Sequence, residues 1–307
     1  MLPEVYVCAL RVAVRDLAEV PYSKDKRMRK QTILVAAVAG VLALAGLAQA
    51  SPSPTDVSPG NMGNWTFYTC NGDGDLGVGT GIGEMVNGPA TPPQGTGSAH
   101  LMPPADNGSQ GVQLRNAGDW VGTKITALTA LSFSTYVTSW NGQQSPWLVL
   151  YINTSGNSTG AYDERLIFEP CYSDAGAGNG NPNPQPDVTL NTWQTWNGLT
   201  GMWYSDHFGG DGGSNALTLS AILALEPNQG TNAVIVDATP GVVGGIRLSV
   251  GQGSVGNVFD ANVDAFTIGT AAGTTIYNFE APEPASLALM TGGLVLLLGR
   301  RRRRAGA

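Results

Sequence analysis

Short apolar segments, separated by turn-forming residues, constrain the fold of this chain more than any other feature of its sequence. The 307 residues include 42 glycines and 19 prolines, and between residues 65 and 279 these punctuate segments in which apolar and polar side chains alternate. Alternation with a period of two is typical of half-buried strands, and Gly, Pro and Asn mark the turns between them. The pattern therefore predicts an all-β domain, an antiparallel β-sandwich.

The clearest strand pattern is at residues 129–138, where Leu131, Phe133 and Val137 alternate with polar side chains. An apolar run at 146–153 and a second segment at 165–169 predict a hairpin. Further strands are predicted at residues 65–68, 109–116, 192–196, 233–236, 245–250, 263–268 and 274–279. Residues 217–225 predict one short helix that ends before Pro227, because proline cannot continue a helix. The predicted loops are residues 72–83, 91–107 and 173–187.

The N-terminal 50 residues have the pattern of a targeting sequence. Basic residues after Met28, an apolar run at 33–47 and the small residues Ala48 and Ala50 predict a secretory signal peptide at 28–50. We therefore expect the Sec translocon and signal peptidase as partners. Residues 1–27 are either an upstream extension that is not translated, with Met28 as the start, or a cytoplasmic extension. Residues 51–63 are proline-rich and predict a linker before the domain at 64–281.

The charge of the chain is unevenly distributed. Residues 51–282 contain four cationic side chains, Arg115, Lys124, Arg165 and Arg247, against 18 carboxylates, which gives a net charge of −14. Nucleic-acid binding needs clustered Lys and Arg to neutralise phosphates, so no nucleic-acid partner is expected. An acidic domain of this kind attracts divalent cations or is simply kept soluble by its charge.

The last 26 residues have three elements in a fixed order. Pro282, Glu283 and Pro284 are followed by an apolar run to Gly299, and the run is followed by five consecutive arginines, Arg300, Arg301, Arg302, Arg303 and Arg304. The apolar run is short for a membrane of about 30 Å but predicts a transmembrane helix with a cytoplasmic arginine stop.

This tail resembles the PEP-CTERM sorting signal of exported bacterial proteins. The resemblance implies an exosortase-like processing enzyme as a partner and a precursor that is held transiently in the inner membrane. It also implies a final location at the cell envelope surface or in the extracellular matrix, such as the exopolysaccharide of a biofilm. An ordinary C-terminal membrane tail is the alternative.

A second and looser resemblance concerns the end of the domain. Residues 246–251, 263–269 and 277–280 resemble the closing strands of concanavalin-like or jelly-roll extracellular modules. This resemblance implies that the last strand lies near the first one, with Phe279 close to Trp65. It is a statement about architecture and implies no function.

Two cysteines, Cys70 and Cys171, remain in the exported part of the chain. In an oxidising compartment they predict one disulfide, and two free buried thiols are the alternative. Calcium is the one candidate cofactor, because Asp73 and Asp75 lie on a glycine-rich loop and calcium prefers flexible sets of oxygen ligands. Asp264 and Glu280 are predicted to complete the site from distant strands, and a solvated acidic turn is the alternative.

Aromatic residues cluster at Trp193, Trp196, Trp203 and Tyr204. Flat rings stack on sugars, so this cluster predicts a glycan platform, whereas packing inside the sandwich is the alternative interpretation. Candidate hydrolase carboxylates are Asp163, Glu164 and Glu169, but a facing pair is not evident from their spacing. No nucleophile, metal-protease or phosphate-loop motif is present, so we expect no enzymatic activity. The prediction is a structural or adhesive surface protein; the alternatives are a carbohydrate-binding module and a surface glycoside hydrolase.

Overall fold

The computed structural model describes residues 52–71, 75–76, 81–104, 110–140, 144–207, 212–236, 245–251 and 259–282. Contacts divide the chain into Met1–Ser51 and Pro52–Ala307, and every described residue belongs to the second unit. The signal peptide predicted at 28–50, the tail beyond Pro282 and the five arginines lie outside the described residues. Within the described part, no helix is both long and apolar enough to cross a membrane.

The described residues form 16 strands and one α-helix, so the all-β class is confirmed. In chain order the strands are β1 (Thr55–Val57), β2 (Trp65–Asn71), β3 (Asp75–Leu76), β4 (Ile82–Asn87), β5 (Gly97–Met102), β6 (Gln110–Asn116), β7 (Leu128–Ser139), β8 (Trp147–Asn153), β9 (Glu164–Phe168), β10 (Trp193–Asn197), β11 (Met202–Ser205), β12 (Leu217–Thr218), β13 (Val234–Ile235), β14 (Ile246–Gly251), β15 (Asp260–Thr270) and β16 (Gly273–Phe279). The helix is α1 (Leu219–Leu225), close to its predicted position. The Thr218 side chain caps it by accepting a hydrogen bond from the Ala221 amide.

The strands form two sheets that face each other in a sandwich-like arrangement. In the first sheet β15 is central, with β7 and then β10 on one side and β5, β4, β16 and β1 on the other. The second sheet runs in the order β12-β11-β9-β8-β14-β6-β2-β3, with β13 beside β8. Every ladder is antiparallel among the described strands except β1 with β16, which is parallel. The predicted hairpin is the β8–β9 ladder.

Aromatic side chains join the two sheets. Trp65 of the second sheet packs edge-on against Phe266, Tyr277 and Phe279 of the first sheet, with ring centroids 5.1–5.6 Å apart. Phe133 of β7 similarly meets Phe168 of β9 at 5.9 Å. The expected proximity of Phe279 to Trp65 is therefore present. Because alternate residues of each strand point inward, the core takes one apolar side chain from every second position.

Several elements differ from the sequence expectations. The linker predicted at 51–63 contributes β1, which adds to the first sheet beside β16. The predicted loop at 91–107 contains β5, which lies between β4 and β15 and buries Ala99 and Leu101 completely. These short strands owe their conformation to pairing with longer neighbours, because β propensity depends strongly on packing context.

The first sheet forks at Asp264 in the middle of β15. The edge of β15 that does not face β7 pairs with β5 in its first half and with β16 in its second half. The β7 register shifts beyond Asp264, and Ala265 has a positive φ of 52°. The buried Asp264 carboxylate accepts hydrogen bonds from the amides of Gln94 (2.9 Å) and Phe279 (3.1 Å). One side chain thus accepts hydrogen bonds from the connection before β5 and from the end of β16.

The structure does not join Cys70 to Cys171. Cys171 is a free, buried thiol, and the Cys70 side chain lies outside the described part. In the second sheet β2, which contains Cys70, is four strand positions from β9, which precedes Cys171. At the usual strand spacing these two strands are about 19 Å apart, whereas a disulfide needs Cα atoms within about 7 Å.

Candidate functional site

A cleft of about 610 Å³ opens where three connections between strands meet at one end of the sandwich. They join β7 to β8, β9 to β10 and β11 to β12, so residues distant in sequence converge there. Its volume lies within the range of small-molecule sites, which is about 300–1,000 Å³. The residues that give it chemical character are Trp140, Gln144, Tyr172, Asp174, Asp187 and Val188. We call this feature the aromatic cleft.

One wall of the aromatic cleft is the loop at residues 173–187, which was predicted only as a surface loop. The Asn179 amide donates to the carbonyl of Tyr172 at 2.6 Å and to the carbonyl of Gly213 at 3.2 Å. The Asn181 amide donates to the Ser173 carbonyl at 2.7 Å. Asparagine side chains replace backbone partners in irregular turns. The loop is therefore held in one conformation by its own amides, and so is the wall that it forms.

Two acceptor atoms in the aromatic cleft have no donor. The Oε1 atom of Gln144 and the Oδ1 atom of Asp174 are shielded from solvent, and neither accepts a hydrogen bond within the part of the chain that the structure describes. Leaving a shielded acceptor without a donor costs about 1–3 kcal/mol. Asp187 adds an exposed carboxylate at the same cleft.

Below the floor of the aromatic cleft, a buried carboxylate is held by neutral donors. Glu169 accepts a hydrogen bond from the Tyr204 hydroxyl at 2.5 Å and a longer contact from the Cys171 thiol at 3.8 Å. Burial raises the pKa of Glu169, and burial together with the Glu169 charge raises the pKa values of Tyr204 and Cys171. Cys171 therefore remains a protonated thiol, which is unsuited to nucleophilic chemistry.

The predicted glycan platform is not assembled. Trp196 and Trp203 are fully buried, and their indole N–H groups donate to Thr135 Oγ1 at 2.8 Å and to the Gly198 carbonyl at 2.7 Å. Trp193 lies on β10 of the first sheet, whereas Tyr204 lies on β11 of the second. Strand alternation turns the two buried indoles into the core, so the packing interpretation describes them.

The candidate hydrolase carboxylates are not a facing pair. Glu164 is fully buried and accepts hydrogen bonds from the Asp206 amide at 2.9 Å and the His207 amide at 3.2 Å. Asp163 accepts from the amide and hydroxyl of Thr154. Glu164 starts β9 and Glu169 follows its end, so they are about 17 Å apart along an extended strand. Glycoside hydrolysis needs a separation of about 5–9.5 Å.

Sequence reasoning missed a buried carboxylate near Glu164. Glu226 follows α1 and is 3% exposed, and neither of its carboxylate oxygens has a hydrogen-bond donor in the described residues. The pKa of Glu226 is raised to about 7, mainly by burial and also by the charges of Glu164 and Asp163, while His207 opposes the shift. This cluster lies at the start of β9, the end of the sandwich opposite the aromatic cleft.

Two of the four proposed calcium ligands already accept hydrogen bonds from the protein. Asp264 binds two backbone amides, and Glu280 accepts hydrogen bonds from the Thr96 amide at 3.1 Å and the Asn278 side chain at 2.9 Å. Asp73 and the Asp75 side chain lie outside the described part. Within the described ranges, no group of three or more His, Cys, Asp or Glu side chains is arranged to hold a metal ion. The calcium site remains a prediction.

The sorting motif is represented by one residue. Pro282 is exposed at the end of the described chain, and Glu283 and Pro284 lie outside it.

Comparison with protein-family models, curated proteins and solved structures found no match to this chain. The geometry of the aromatic cleft is therefore the main basis for assigning a role to the domain.

Proposed function

We propose that this chain is an exported protein of the cell surface or extracellular matrix whose β-sandwich binds polysaccharide in the aromatic cleft. The supporting observation is the pair of shielded acceptors on Gln144 and Asp174 beside the rings of Trp140 and Tyr172. Sugar hydroxyls donate to such acceptors, and sugar rings pack on aromatic side chains. A purely structural or adhesive role, the other prediction, needs neither feature. The cleft thus favours the carbohydrate-binding alternative.

The charge of the aromatic cleft defines the class of sugar. Its lining includes Asp174 and Asp187 and no Lys or Arg among the described residues. An anionic sugar would be repelled there, whereas a neutral one donates hydroxyl hydrogens to both carboxylates. We therefore assign neutral hexopyranose polymers to the aromatic cleft.

We also propose the finer architecture and the export route predicted from the sequence. The neighbouring positions of β1 and β16 support a jelly-roll or concanavalin-like sandwich, in which the first and last strands are adjacent. The proposed route begins with the signal peptide. It continues with transient retention in the inner membrane and processing by an exosortase-like enzyme near Pro282.

Replacing Trp140 with Ala is expected to weaken binding of neutral glucan oligosaccharides at least tenfold, which corresponds to about 1.4 kcal/mol. The ring contact is lost, while Trp140 is only partly buried and its loss leaves the core intact. Isothermal titration calorimetry measures the affinity and thermal melting checks the fold. Trp193→Ala is the matched control, because Trp193 is also a partly buried tryptophan but lies outside the cleft. Loss of binding in Trp193→Ala and not in Trp140→Ala would contradict the proposal.

Deleting residues 282–307 is expected to abolish retention at the envelope and release the protein into the medium. The reason is that the proposed sorting signal contains the only apolar run in the C-terminal region. Immunoblots of envelope and medium fractions measure the distribution. A substitution of the five arginines by serine is a milder variant that keeps the Pro-Glu-Pro motif. An unchanged envelope fraction for the deletion would reject the sorting route.

A further inference from the structure

The outer face of the second sheet, which points away from the first sheet, concentrates the positive charge of the domain. Three of its four cationic residues are there, Arg115 on β6, Arg165 on β9 and Arg247 on β14. Arg115 and Arg247 are directly opposite each other in the β6–β14 ladder. Like charges in that position repel each other and destabilise a sheet, so their juxtaposition needs a reason.

The two opposed arginines lack a carboxylate partner. Arg165 forms an ion pair with Asp206, but no ion pair to Arg115 or Arg247 occurs among the described residues. Both side chains are buried, with 3% and 5% of their surfaces exposed. The Nε atoms of both and the Nη1 atom of Arg115 are shielded from solvent and donate to no acceptor in the described part. Buried guanidinium groups of this kind are costly unless an anion pairs with them.

The neighbours of the arginines do not replace an anion. The Arg115 guanidinium lies 4.3 Å from the centre of the Tyr68 ring, and that of Arg247 lies 5.6 Å from the Tyr151 ring. These cation–π contacts use the faces of the two guanidinium groups and do not satisfy the in-plane donors Nε and Nη1 of Arg115 and Nε of Arg247. The planar guanidinium fork matches the two oxygens of a carboxylate.

Gln113 adds a neutral donor and acceptor to the same face. Gln113 is two residues before Arg115 on β6, so both side chains lie on the same face of the sheet. Its cross-strand partners are Tyr68 and Ser249. Gln113 is fully buried, and both polar atoms of its amide have no partner in the described residues. An amide of this kind recognises hydroxyl groups, which both donate and accept hydrogen bonds. The face therefore offers cationic donors beside an amide, the complement of a sugar that carries a carboxylate.

We infer that the outer face of the second sheet is a second binding site, in which Arg115 and Arg247 bind the carboxylate of a uronic acid residue in an acidic polysaccharide. Gln113 binds a hydroxyl group of the same residue. Because the guanidinium groups are nearly enclosed, the group that reaches them is small, and the polymer supplies it from a ring substituent. This site does not depend on the aromatic cleft, which selects neutral sugars.

The decisive comparison uses oligogalacturonates and their methyl esters with the purified exported protein. We expect the free acid to raise the melting temperature of the wild-type protein and to bind more weakly as salt is added, because charge pairing is screened. The methyl ester lacks the charge and, as a neutral polymer, has only the aromatic cleft to bind, so it is expected to cause a smaller shift that does not depend on salt. Equal binding of the ester would overturn the inference, and so would tighter binding of dextran sulfate, which carries sulfate in place of carboxylate.

The variant Arg115→Met with Arg247→Met tests the residues themselves. Without ligand it is expected to melt at the same temperature as the wild type or higher, since replacing unpaired buried charges by apolar groups relieves repulsion. It is also expected to bind oligogalacturonate at least tenfold more weakly. A purely structural role predicts the opposite, a large fall in melting temperature, and undiminished binding would overturn the site. Lys124→Met is the control, because it removes the exposed cation that does not lie on this face, and it keeps full oligogalacturonate binding. The wild-type comparison of acid and ester decides the question if the double variant does not fold.

Discussion

The variant Trp203→Ala is expected to lose about 3–5 kcal/mol of unfolding free energy. Trp203 is fully buried on β11, its ring packs 5.4 Å from that of Phe168, and its indole N–H donates to the Gly198 carbonyl. The truncation removes buried apolar surface, leaves a cavity and leaves the Gly198 carbonyl without its hydrogen-bond donor. Small domains have only about 5–15 kcal/mol of net stability, so the loss is a large fraction of the total.

Urea denaturation followed by circular dichroism measures this effect, with an unchanged slope indicating that the native fold is kept. Trp193→Ala is the control, since Trp193 is partly buried on a strand that pairs with β7 alone in the described sheet. It is expected to lose less than half as much. If Trp203→Ala were as stable as the wild type but failed to bind polysaccharide, the result would support the glycan platform predicted from the sequence and contradict the packing interpretation.

The difference between the two tryptophans shows what a sequence pattern can decide. Trp193 and Trp196 are three residues apart, so in a strand they face opposite sides, and the spacing does not show which of the two is buried. Which face of β10 is buried depends on its register with β7, where Trp196 is opposite Phe133. Register is a property of the assembled sheet, so the burial of individual indoles followed only from the structure.

The regular parts of the fold were predictable for a physical reason. β7 has twelve residues with alternating apolar side chains, and the β8–β9 hairpin combines apolar runs with a polar turn. In both cases local pattern and tertiary packing agree. β5 was missed because prolines precede and follow it and because small residues weaken its pattern. Its conformation comes from β4 and β15 on either side.

Neither proposed binding site could be found from residue spacing alone. The aromatic cleft joins Trp140 to Asp174, which are on loops 34 positions apart, and no short motif connects them. The arginine pair joins Arg115 to Arg247 across one ladder. One signal was available in the sequence, since the domain has only four cationic residues and three of them, Arg115, Arg165 and Arg247, lie within strand patterns. A charged residue in a strand predicted to be buried marks a candidate site.

Asp264 is expected to make the stability of the protein depend on pH. Burial raises its pKa to about 6, although hydrogen bonds from the Gln94 and Phe279 amides oppose the shift. The carboxyl of an unfolded aspartate titrates near 3.9. A folded pKa above the unfolded one means that folding disfavours the charged form. The contribution of Asp264 to stability is therefore greatest below about pH 4 and declines as the pH rises to about 6.

The variant Asp264→Asn removes this titration. Between pH 4 and pH 7.5 the wild-type protein is expected to lose about 3 kcal/mol relative to the variant, because a shift of about two pKa units corresponds to that free energy. Chemical denaturation at each pH measures the difference. Glu226→Gln is the comparison variant, since the pKa of Glu226 is raised to about 7. Removing that carboxyl is expected to reduce the pH dependence of the unfolding free energy over a higher pH range than Asp264→Asn does.

Parallel stability curves for the wild type and Asp264→Asn would contradict the assignment of this pH dependence to the fork in the first sheet. Adding calcium to the wild type and to Asp264→Asn also tests the predicted calcium site. A bound divalent cation favours the ionised carboxylate, so a calcium site that includes Asp264 would raise the melting temperature at neutral pH in the wild type and not in the variant. Without that rise, the two backbone amides are sufficient to explain why a carboxylate stands at the point where β5 gives way to β16.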